Sequence, residues 1–162
     1  MKNTKKWSAI DGLDYHYGFS ADGREIGTME IITKGLLEKK AIFKIFEKTF
    51  YLTHPSSWKS DFVIKDENGN VILEAFTKKW YGSTLVLNYK DKNLKLKPRN
   101  NPLAEYVIFD GDKEILSYGL SGIKIKIGPE DGDVDYLLDY VLWYLFRAIA
   151  LEIMGNNFVF TD

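Results

Sequence analysis

The chain has 162 residues, of which 45% are hydrophobic and 15% aromatic, so large side chains are available to fill the interior of one domain. It has no cysteine, which excludes disulfide frameworks, thiolate zinc sites and thiol nucleophiles. The 22 Lys and Arg residues nearly balance the 23 Asp and Glu residues, so the chain as a whole is not attracted to nucleic acid or to an anionic membrane. We expect a single domain over residues 1–162 that does not bind nucleic acid.

The amino-terminal sequence MKNTKKW is basic, and no run of apolar residues follows it. A secretory signal peptide requires such a run after its basic residues. The sequence therefore predicts a cytoplasmic protein, either free in solution or peripheral to a membrane.

Three segments share one pattern: a strand with aromatic residues, a turn with Gly beside Asp or Asn, and a second strand. They are 17–31, 62–76 and 106–120, and their turns are Asp22-Gly23, Asn68-Gly69 and Asp110-Gly111. Such residues supply the positive φ that tight hairpin turns require, so each segment is predicted to be a β-hairpin. Asp22, Asp66 and Asp110 are spaced 44 residues apart, which indicates repeated units of two hairpins.

Four further stretches are rich in strand-forming residues, namely 41–53, 83–89, 93–97 and 122–128. In the last two, apolar and basic residues alternate: Leu94 and Leu96 against Lys95 and Lys97, and Ile123, Ile125 and Ile127 against Lys124 and Lys126. With a short strand near Trp7 the total is about twelve strands, well above the mean of about five or six per sheet. A meander of that length is expected to close into an antiparallel barrel, because closure removes exposed edges.

Residues 134–154 predict one helix that is apolar on all sides, with Asp133 as its cap, Asp135 in its first turn and Gly155 at its end. Such a helix lies in a membrane or inside a protein. Its longest uncharged run is Tyr140–Phe146, which is shorter than the roughly 20 residues of a membrane span. We therefore expect no membrane span. An interior helix would also fill a twelve-stranded barrel, which is too wide for its own side chains.

This arrangement resembles the tubby C-terminal-like superfamily, which includes the plant LURP-one-related proteins and the phospholipid scramblases. The resemblance is carried by the three hairpins and by the apolar helix in 131–153, followed by the sequence NFVF at 157–160. It implies a barrel of about twelve strands closed around one hydrophobic C-terminal helix. It also implies binding of phosphoinositide head groups through basic residues on the outer wall. A scramblase-like, membrane-associated protein is an alternative, but the proline-rich arm, palmitoylated cysteines and longer acidic segment of scramblases are absent.

The basic residues that would bind an anionic head group are Lys78, Lys79, Lys95, Lys97, Arg99, Lys124 and Lys126, with Lys90 and Lys92 nearby in the sequence. Lys also keeps solvent-facing strands soluble and their edges unpaired, and Glu74 and Asp91 dilute this group. Two hypotheses therefore stay open. The protein binds anionic phospholipid or a protein partner through these residues, or it is a structural or regulatory protein-interaction barrel with no small ligand.

The sequence predicts no enzyme, metal or cofactor. Glu130, Asp131, Asp133 and Asp135 alternate like the start of a calcium loop, but Tyr136 stands where that loop needs Gly and Leu142 where it needs Glu. His16 and His54 have no metal-binding spacing, and residues 119–122 lack the nucleophile-elbow pattern.

Arg147 is a charge two-thirds of the way along the predicted buried helix, so it needs a partner. We consider a salt bridge to a carboxylate, an exit near the barrel mouth, or a role as a ligand-binding group inside the barrel.

Overall fold

The computed structural model describes residues 4–34, 38–55, 61–77, 84–100, 104–129 and 136–161. The strands are β1 Lys5–Ala9, β2 His16–Ala21, β3 Arg24–Lys34, β4 Glu38–Ile45, β5 Lys48–Thr53, β6 Phe62–Asp66, β7 Val71–Thr77, β8 Leu85–Tyr89, β9 Lys92–Asn100, β10 Ala104–Asp110, β11 Lys113–Ser121 and β12 Lys124–Gly128, followed by helix α1 Leu137–Met154. All twelve strands form one antiparallel sheet in chain order. The sheet curls into a nearly closed barrel, which confirms the predicted fold class.

Helix α1 lies inside this barrel. Its side chains contact residues of strands on several sides of the barrel, including Trp7 on β1, Phe43 on β4 and Phe62 on β6. Trp7 and Trp143 stack with ring centroids 5.3 Å apart, at the centre of a continuous core. Burying aromatic rings of this size provides much of the free energy that holds the helix in place.

The barrel has two ends, which we name after the helix. The near end is where α1 begins, and the turns after β2, β4, β6, β8 and β10 lie there. The far end is where α1 stops, and the turns after β1 and β11 lie there. The helix starts at Leu137 and ends at Gly155, whose N–H donates to the carbonyl of Leu151 at 2.8 Å, as predicted for that glycine. The predicted first helical residues and the cap Asp133 lie outside the described residues.

The edge of β12 is covered by the C-terminal segment. Ile125 N–H donates to the carbonyl of Val159 at 2.7 Å, and Thr161 N–H donates to the carbonyl of Ile125 at 2.9 Å. Phe158 packs against Tyr17 of β2 and against Trp143. Because β1 and β12 are the two ends of the sheet, this segment fills the seam between them.

The predicted alternation on β9 is confirmed, since Leu94 and Leu96 are buried while Lys95 and Lys97 are exposed. On β12, Ile125 is buried, but the prediction that Ile123 faces the same side is wrong. Ser121 pairs with Lys124, so Gly122 and Ile123 form the turn before the strand, and Ile123 is 78% exposed.

The predicted turns are confirmed in part. Asp22 and Gly23 have φ of 53° and 78° and form the expected tight turn. The second turn is wider than predicted, and the Asp66 carboxylate accepts the N–H groups of Asn68 and Asn70 there. In the third, Asp110 pairs with Lys113, so the turn residues are Gly111 and Asp112. The stretch 41–53 contains an additional turn at Phe46-Glu47. This turn has neither Gly nor Asn, so the sequence does not predict it.

Candidate functional site

A cavity of about 1630 Å³ opens at the near end of the barrel. The turn between β4 and β5, the start of β7, the turn between β8 and β9 and the first residues of the helix surround it. Its apolar lining consists of Ile45, Phe46, Phe50, Val71, Ile72, Tyr89, Tyr136 and Leu137. Its charged lining consists of Lys48, Lys90, Lys92, Glu47, Glu74 and Asp91. An apolar cavity with a few charged groups at its edge is the usual form of a ligand site.

Both hairpin turns beside this cavity carry side chains in conformations that normally belong to Gly or Asn. Phe46 has φ of 54°, and Lys90 and Asp91 have φ of 51° and 61°. Positive φ is strained for a bulky residue and costs about 1–2 kcal/mol. Such outliers concentrate at functional sites, where the side chain is needed despite the strain. Phe46 is also 58% exposed, so burial in the core does not explain it.

The rim of the cavity carries both signs of charge. Lys92 forms an exposed ion pair with Asp110 at 3.1 Å. The ammonium group of Lys90 lies 5.4 Å from the centre of the Tyr89 ring, within cation–π range. Lys48 is exposed on β5 beside Phe46 and Glu47. The rim therefore offers ammonium groups beside aromatic surface, with carboxylates that limit its net charge.

A buried polar network lies next to a second, smaller cavity of about 110 Å³ at the same end, which both Lys5 and Asp139 line. Lys5 Nζ donates to Asp139 Oδ2 at 3.1 Å, the Tyr118 hydroxyl donates to Asp139 Oδ1 at 2.8 Å, and Trp7 Nε1 donates to the Tyr118 oxygen at 2.9 Å. Burial raises the pKa of Tyr118 well above its ordinary value, and the charge of Asp139 adds to this effect. Asp139 also lies in the first turn of α1, where the helix dipole favours a negative charge.

The predicted basic residues of β9 are exposed, but only some of them are free to act. Arg99 forms ion pairs with Glu105 and with Glu114, the latter at 2.9 Å. The ammonium group of Lys97 lies 5.6 Å from the centre of the Phe109 ring. Lys95 is exposed on the same strand. Lys78 and Lys79 lie outside the described residues.

Lys124 and Lys126 are exposed on β12, three strands away from β9. At the usual strand spacing this is a distance of about 14 Å across the sheet. The pairing places Arg99, Glu105, Gly119 and Lys126 in one row across four strands. Glu105 lies across Gly119, where an added Cβ would be 2.8 Å from its Cγ. The structure thus separates Lys124 and Lys126 from the lysines of β9, with a carboxylate between them.

Arg147 lies near the far end of the barrel and is only 5% exposed. Among the described residues it has no carboxylate partner, so the salt bridge considered from the sequence is absent from this part of the chain. Its guanidinium carbon lies 5.6 Å from the centre of the Tyr15 ring, in the turn between β1 and β2. This position agrees with the predicted exit near a barrel mouth.

The histidines have separate roles. His16 lies 3.4 Å from Glu30, and His54 bonds the Tyr144 hydroxyl at 2.8 Å and the Asp61 carbonyl at 2.9 Å.

Within the described ranges no group of three or more His, Asp and Glu side chains has a metal-binding arrangement. No helix among these residues has the length and apolar character that crossing a membrane requires. The acidic run 130–135 lies outside the described residues.

Sequence reasoning named Lys90, Lys92, Glu74 and Asp91, which line the near-end cavity, but it missed the other residues of this site. Phe46 and Lys48 were hidden in a continuous strand-forming stretch. Lys5 gave a weak signal, because it alternates with Trp7 and therefore shares its inward face. Asp139 gave a stronger one, as an acidic residue on a helix predicted to be buried on all sides.

These features define the protein as an antiparallel β-barrel domain with an interior C-terminal helix and an open cavity where that helix begins. Comparison with known protein families, with curated proteins and with solved structures finds no match for this chain.

Proposed function

We propose that the protein is a non-catalytic binding domain that holds an anionic amphiphile, a lipid with an acyl chain and a negatively charged head group, in the near-end cavity. The observation that carries this proposal is the cavity itself, which combines a large apolar lining with ammonium groups at its edge. Apolar side chains would contact the acyl chain, and lysines would contact the head group.

The size of the cavity favours a ligand with a long apolar part. Pockets for drug-sized molecules occupy about 300–1,000 Å³, whereas this open cavity has about 1630 Å³. The exposed ring of Phe46 and the exposed side chain of Val71 extend apolar surface to its rim. Exposed apolar surface of this kind is unfavourable in water, so contact with a lipid chain would stabilise it.

Three lysines at the rim, Lys48, Lys90 and Lys92, would contact an anionic head group, and the lining also has the carboxylates Glu47, Glu74 and Asp91. Lys48 and Lys90 project beside the aromatic residues that would contact the chain. Lys95 and Lys97 lie further along β9, which starts at the cavity, and would extend the contact toward a membrane surface. Lys124 and Lys126 are three strands away from β9, so head-group binding by them would be a separate contact.

The proposed resemblance to the tubby C-terminal-like superfamily is supported by the meander of twelve strands and by the interior helix. Head-group binding would agree with that resemblance, although the site proposed here is the mouth of the barrel and the resemblance implies the outer wall. A protein-interaction barrel with no small ligand is the competing hypothesis, and no observation favours a scramblase activity.

Co-sedimentation with vesicles tests the proposal. Wild-type protein is expected to sediment with vesicles that contain phosphatidylglycerol or phosphoinositide, and less with pure phosphatidylcholine. Binding should weaken as salt rises, because ammonium–phosphate contacts are screened. Lys48→Gln with Lys90→Gln, and separately Phe46→Gly, should each reduce binding several-fold. The matched control is Lys124→Gln with Lys126→Gln, which removes two exposed lysines far from the cavity.

Two results would contradict the proposal. Wild-type protein that binds no anionic vesicle at low salt would favour the protein-interaction barrel. Binding that only the Lys124 and Lys126 variant reduces would move the site to the outer wall. Thermal midpoints of all variants should be measured beside the binding, so that a loss of folding is not mistaken for a loss of affinity.

A further inference from the structure

The far end of the barrel contains a buried cation with no acidic partner among the described residues. Arg147 is 5% exposed, and its Nε atom has no hydrogen-bond acceptor. A buried charge without a counter-charge is costly, and proteins normally pair it or avoid it. The positive charge of Arg147 therefore needs an explanation that the fold alone does not supply.

The guanidinium group of Arg147 has no acceptor among the described residues. Nε is fully buried without a partner, and neither terminal nitrogen donates to a described residue. These terminal nitrogens form the fork that binds two oxygens of a carboxylate or phosphate at once.

Tyr15 covers the guanidinium group in a strained conformation. Its φ is 61°, a value that bulky aromatic residues rarely adopt, and its ring is 46% exposed. The backbone is held there because Ile31 N–H donates to the Tyr15 carbonyl at 2.9 Å. The ring is thus fixed over the cation at 5.6 Å, where a cation–π contact stabilises the charge without neutralising it. Strain kept in this way is typical of a ligand site.

The Tyr144 hydroxyl lies near Arg147 and is hydrogen-bonded to the imidazole of His54. Burial raises the pKa of Tyr144 to about 12, and the nearby charge of Arg147 opposes this shift. His54 Nδ1 lies 2.9 Å from the Asp61 carbonyl, which only accepts hydrogen bonds, so Nδ1 carries the proton. In neutral His54 the other nitrogen then accepts the Tyr144 hydroxyl at 2.8 Å. The Asp61 carboxylate is engaged elsewhere, since it accepts the N–H of Thr77 at 3.2 Å.

We propose that Arg147 forms a binding site for an oxyanion of the phosphate or carboxylate class at the far end of the barrel, under the ring of Tyr15. The anion takes two hydrogen bonds from the terminal nitrogens of Arg147 and supplies the missing counter-charge. This site is independent of the near-end cavity, because it lies at the other end of α1.

Sulfate is the best first probe, since it carries two negative charges at neutral pH. In wild-type protein the side-chain Nε–H signal of Arg147, followed by NMR, should shift and saturate with sulfate, with inorganic phosphate and with acetate, at matched ionic strength. Sulfate should also raise the thermal midpoint, because a ligand that binds only the folded state stabilises it.

Variants separate the site from general salt effects. Arg147→Met should lose the sulfate-induced rise in midpoint, whereas Tyr144→Phe, which removes a hydroxyl that is hydrogen-bonded to His54, should keep it. Arg99→Met is the matched control, since it removes an exposed arginine that is already paired with two glutamates, and it should keep the full response. Without anion, Arg147→Met should be as stable as wild type or more stable, because it removes an unpaired buried charge.

A titration with a short-chain lipid distinguishes a free anion from a lipid head group. Dihexanoyl phosphatidic acid carries the same phosphate chemistry on short acyl chains, and Leu13 and Tyr15 offer it exposed apolar surface at this end. A shift of the Arg147 signal with inorganic anions alone identifies a free anion, and a shift with the lipid alone identifies a head group. An Arg147 signal that moves with none of these probes overturns the proposal, and so does a sulfate response that survives in Arg147→Met.

Discussion

The ammonium group of Lys5 lies 3.1 Å from Asp139 Oδ2, and the two side chains are 6% and 2% exposed. Lys5 is the first residue of β1, and Asp139 lies in the first turn of α1. The Tyr118 hydroxyl on β11 donates to the other oxygen of Asp139 and accepts from Trp7 on β1. This network therefore joins strands on both sides of the seam to the helix between them. The C-terminal segment covers the same seam at the far end.

Removing one member of the Lys5–Asp139 pair should destabilise the protein strongly. Lys5→Met or Asp139→Leu alone leaves a buried charge without its partner, which costs about 3–5 kcal/mol in the free energy of unfolding. The double variant removes both charges and should cost much less than the sum. Urea unfolding of the four proteins measures this coupling. Lys92→Met is the control, because its ion pair is exposed and is worth at most about 1 kcal/mol. Additive single effects would mean that the pair does not hold the seam.

Gly27 should not tolerate a methyl group. A Cβ at this position on β3 would lie 1.7 Å from the carbonyl oxygen of Lys44 and 2.7 Å from the Tyr140 hydroxyl, which donates to that same oxygen at 2.7 Å. Gly27→Ala must displace the backbone or break that hydrogen bond, so we expect a loss of about 1–3 kcal/mol. Gly18→Ala on β2 is the control, since its Cβ would meet only Ser8 Oγ at 3.5 Å. Equal stabilities of the two variants in urea unfolding would contradict this explanation.

We expect that the backbone of Phe46 is strained and that its ring contributes to lipid binding at the near-end cavity. Phe46→Gly relieves the positive φ, whereas Phe46→Ala removes the same ring but keeps a Cβ in the strained conformation. The Gly variant should therefore be more stable than the Ala variant, by about 1 kcal/mol. Both should lose lipid affinity to the same extent, because both lack the exposed ring. Chemical unfolding measures the difference in stability, and vesicle binding measures the loss of lipid affinity. An Ala variant as stable as the Gly variant would show that the turn is unstrained.

The fold was predictable from the sequence because its main signals are local. Alternation such as Leu94-Lys95-Leu96-Lys97 fixes which face of a strand is buried, and it depends only on neighbouring residues. The apolar sequence on all sides of the helix predicted that the helix is buried. The number of strands then predicted a barrel wide enough to contain it. The turn at Phe46-Glu47 was missed because its residues carry no turn signal and the conformation is imposed by the strands on either side.

The candidate sites were not predictable because they join residues that are far apart in the chain. Lys5 and Asp139 meet across 134 positions, and His54 and Tyr144 across 90. Which lysines share a surface depends on strand order and register, so Arg99 could not be matched with Glu105 and Glu114 without the sheet. The prediction about Arg147 came closest, because a charged residue in a helix predicted to be buried can be recognised from the sequence. The residues that surround it cannot be recognised in this way.

Buried tyrosines should make the protein sensitive to alkali. Burial raises the pKa of Tyr118, Tyr140 and Tyr144 above the ordinary value of 10.0, in the last case to about 12. Below pH 10 these hydroxyls are protonated in both states, so their contribution to stability does not change with pH. Above it the unfolded chain loses their protons while the folded protein keeps them. The free energy of unfolding should therefore fall as the pH rises from about 10 to 12.

Absorbance at 295 nm, which reports tyrosinate, and far-ultraviolet circular dichroism should be followed together during an alkaline titration. Tyr118, Tyr140 and Tyr144 should ionise only as the protein unfolds, so their contribution to the absorbance should appear together with the loss of circular dichroism. Tyr144→Phe removes one group whose ionisation opposes folding, so its stability should fall less steeply with pH than that of wild type. Tyr51→Phe, at an exposed position, is the matched control. An absorbance rise near pH 10 that Tyr144→Phe reduces while the protein is still folded would show that this hydroxyl is accessible to solvent, and the hydrogen bond between Tyr144 and His54 would then have to be weaker than the geometry indicates.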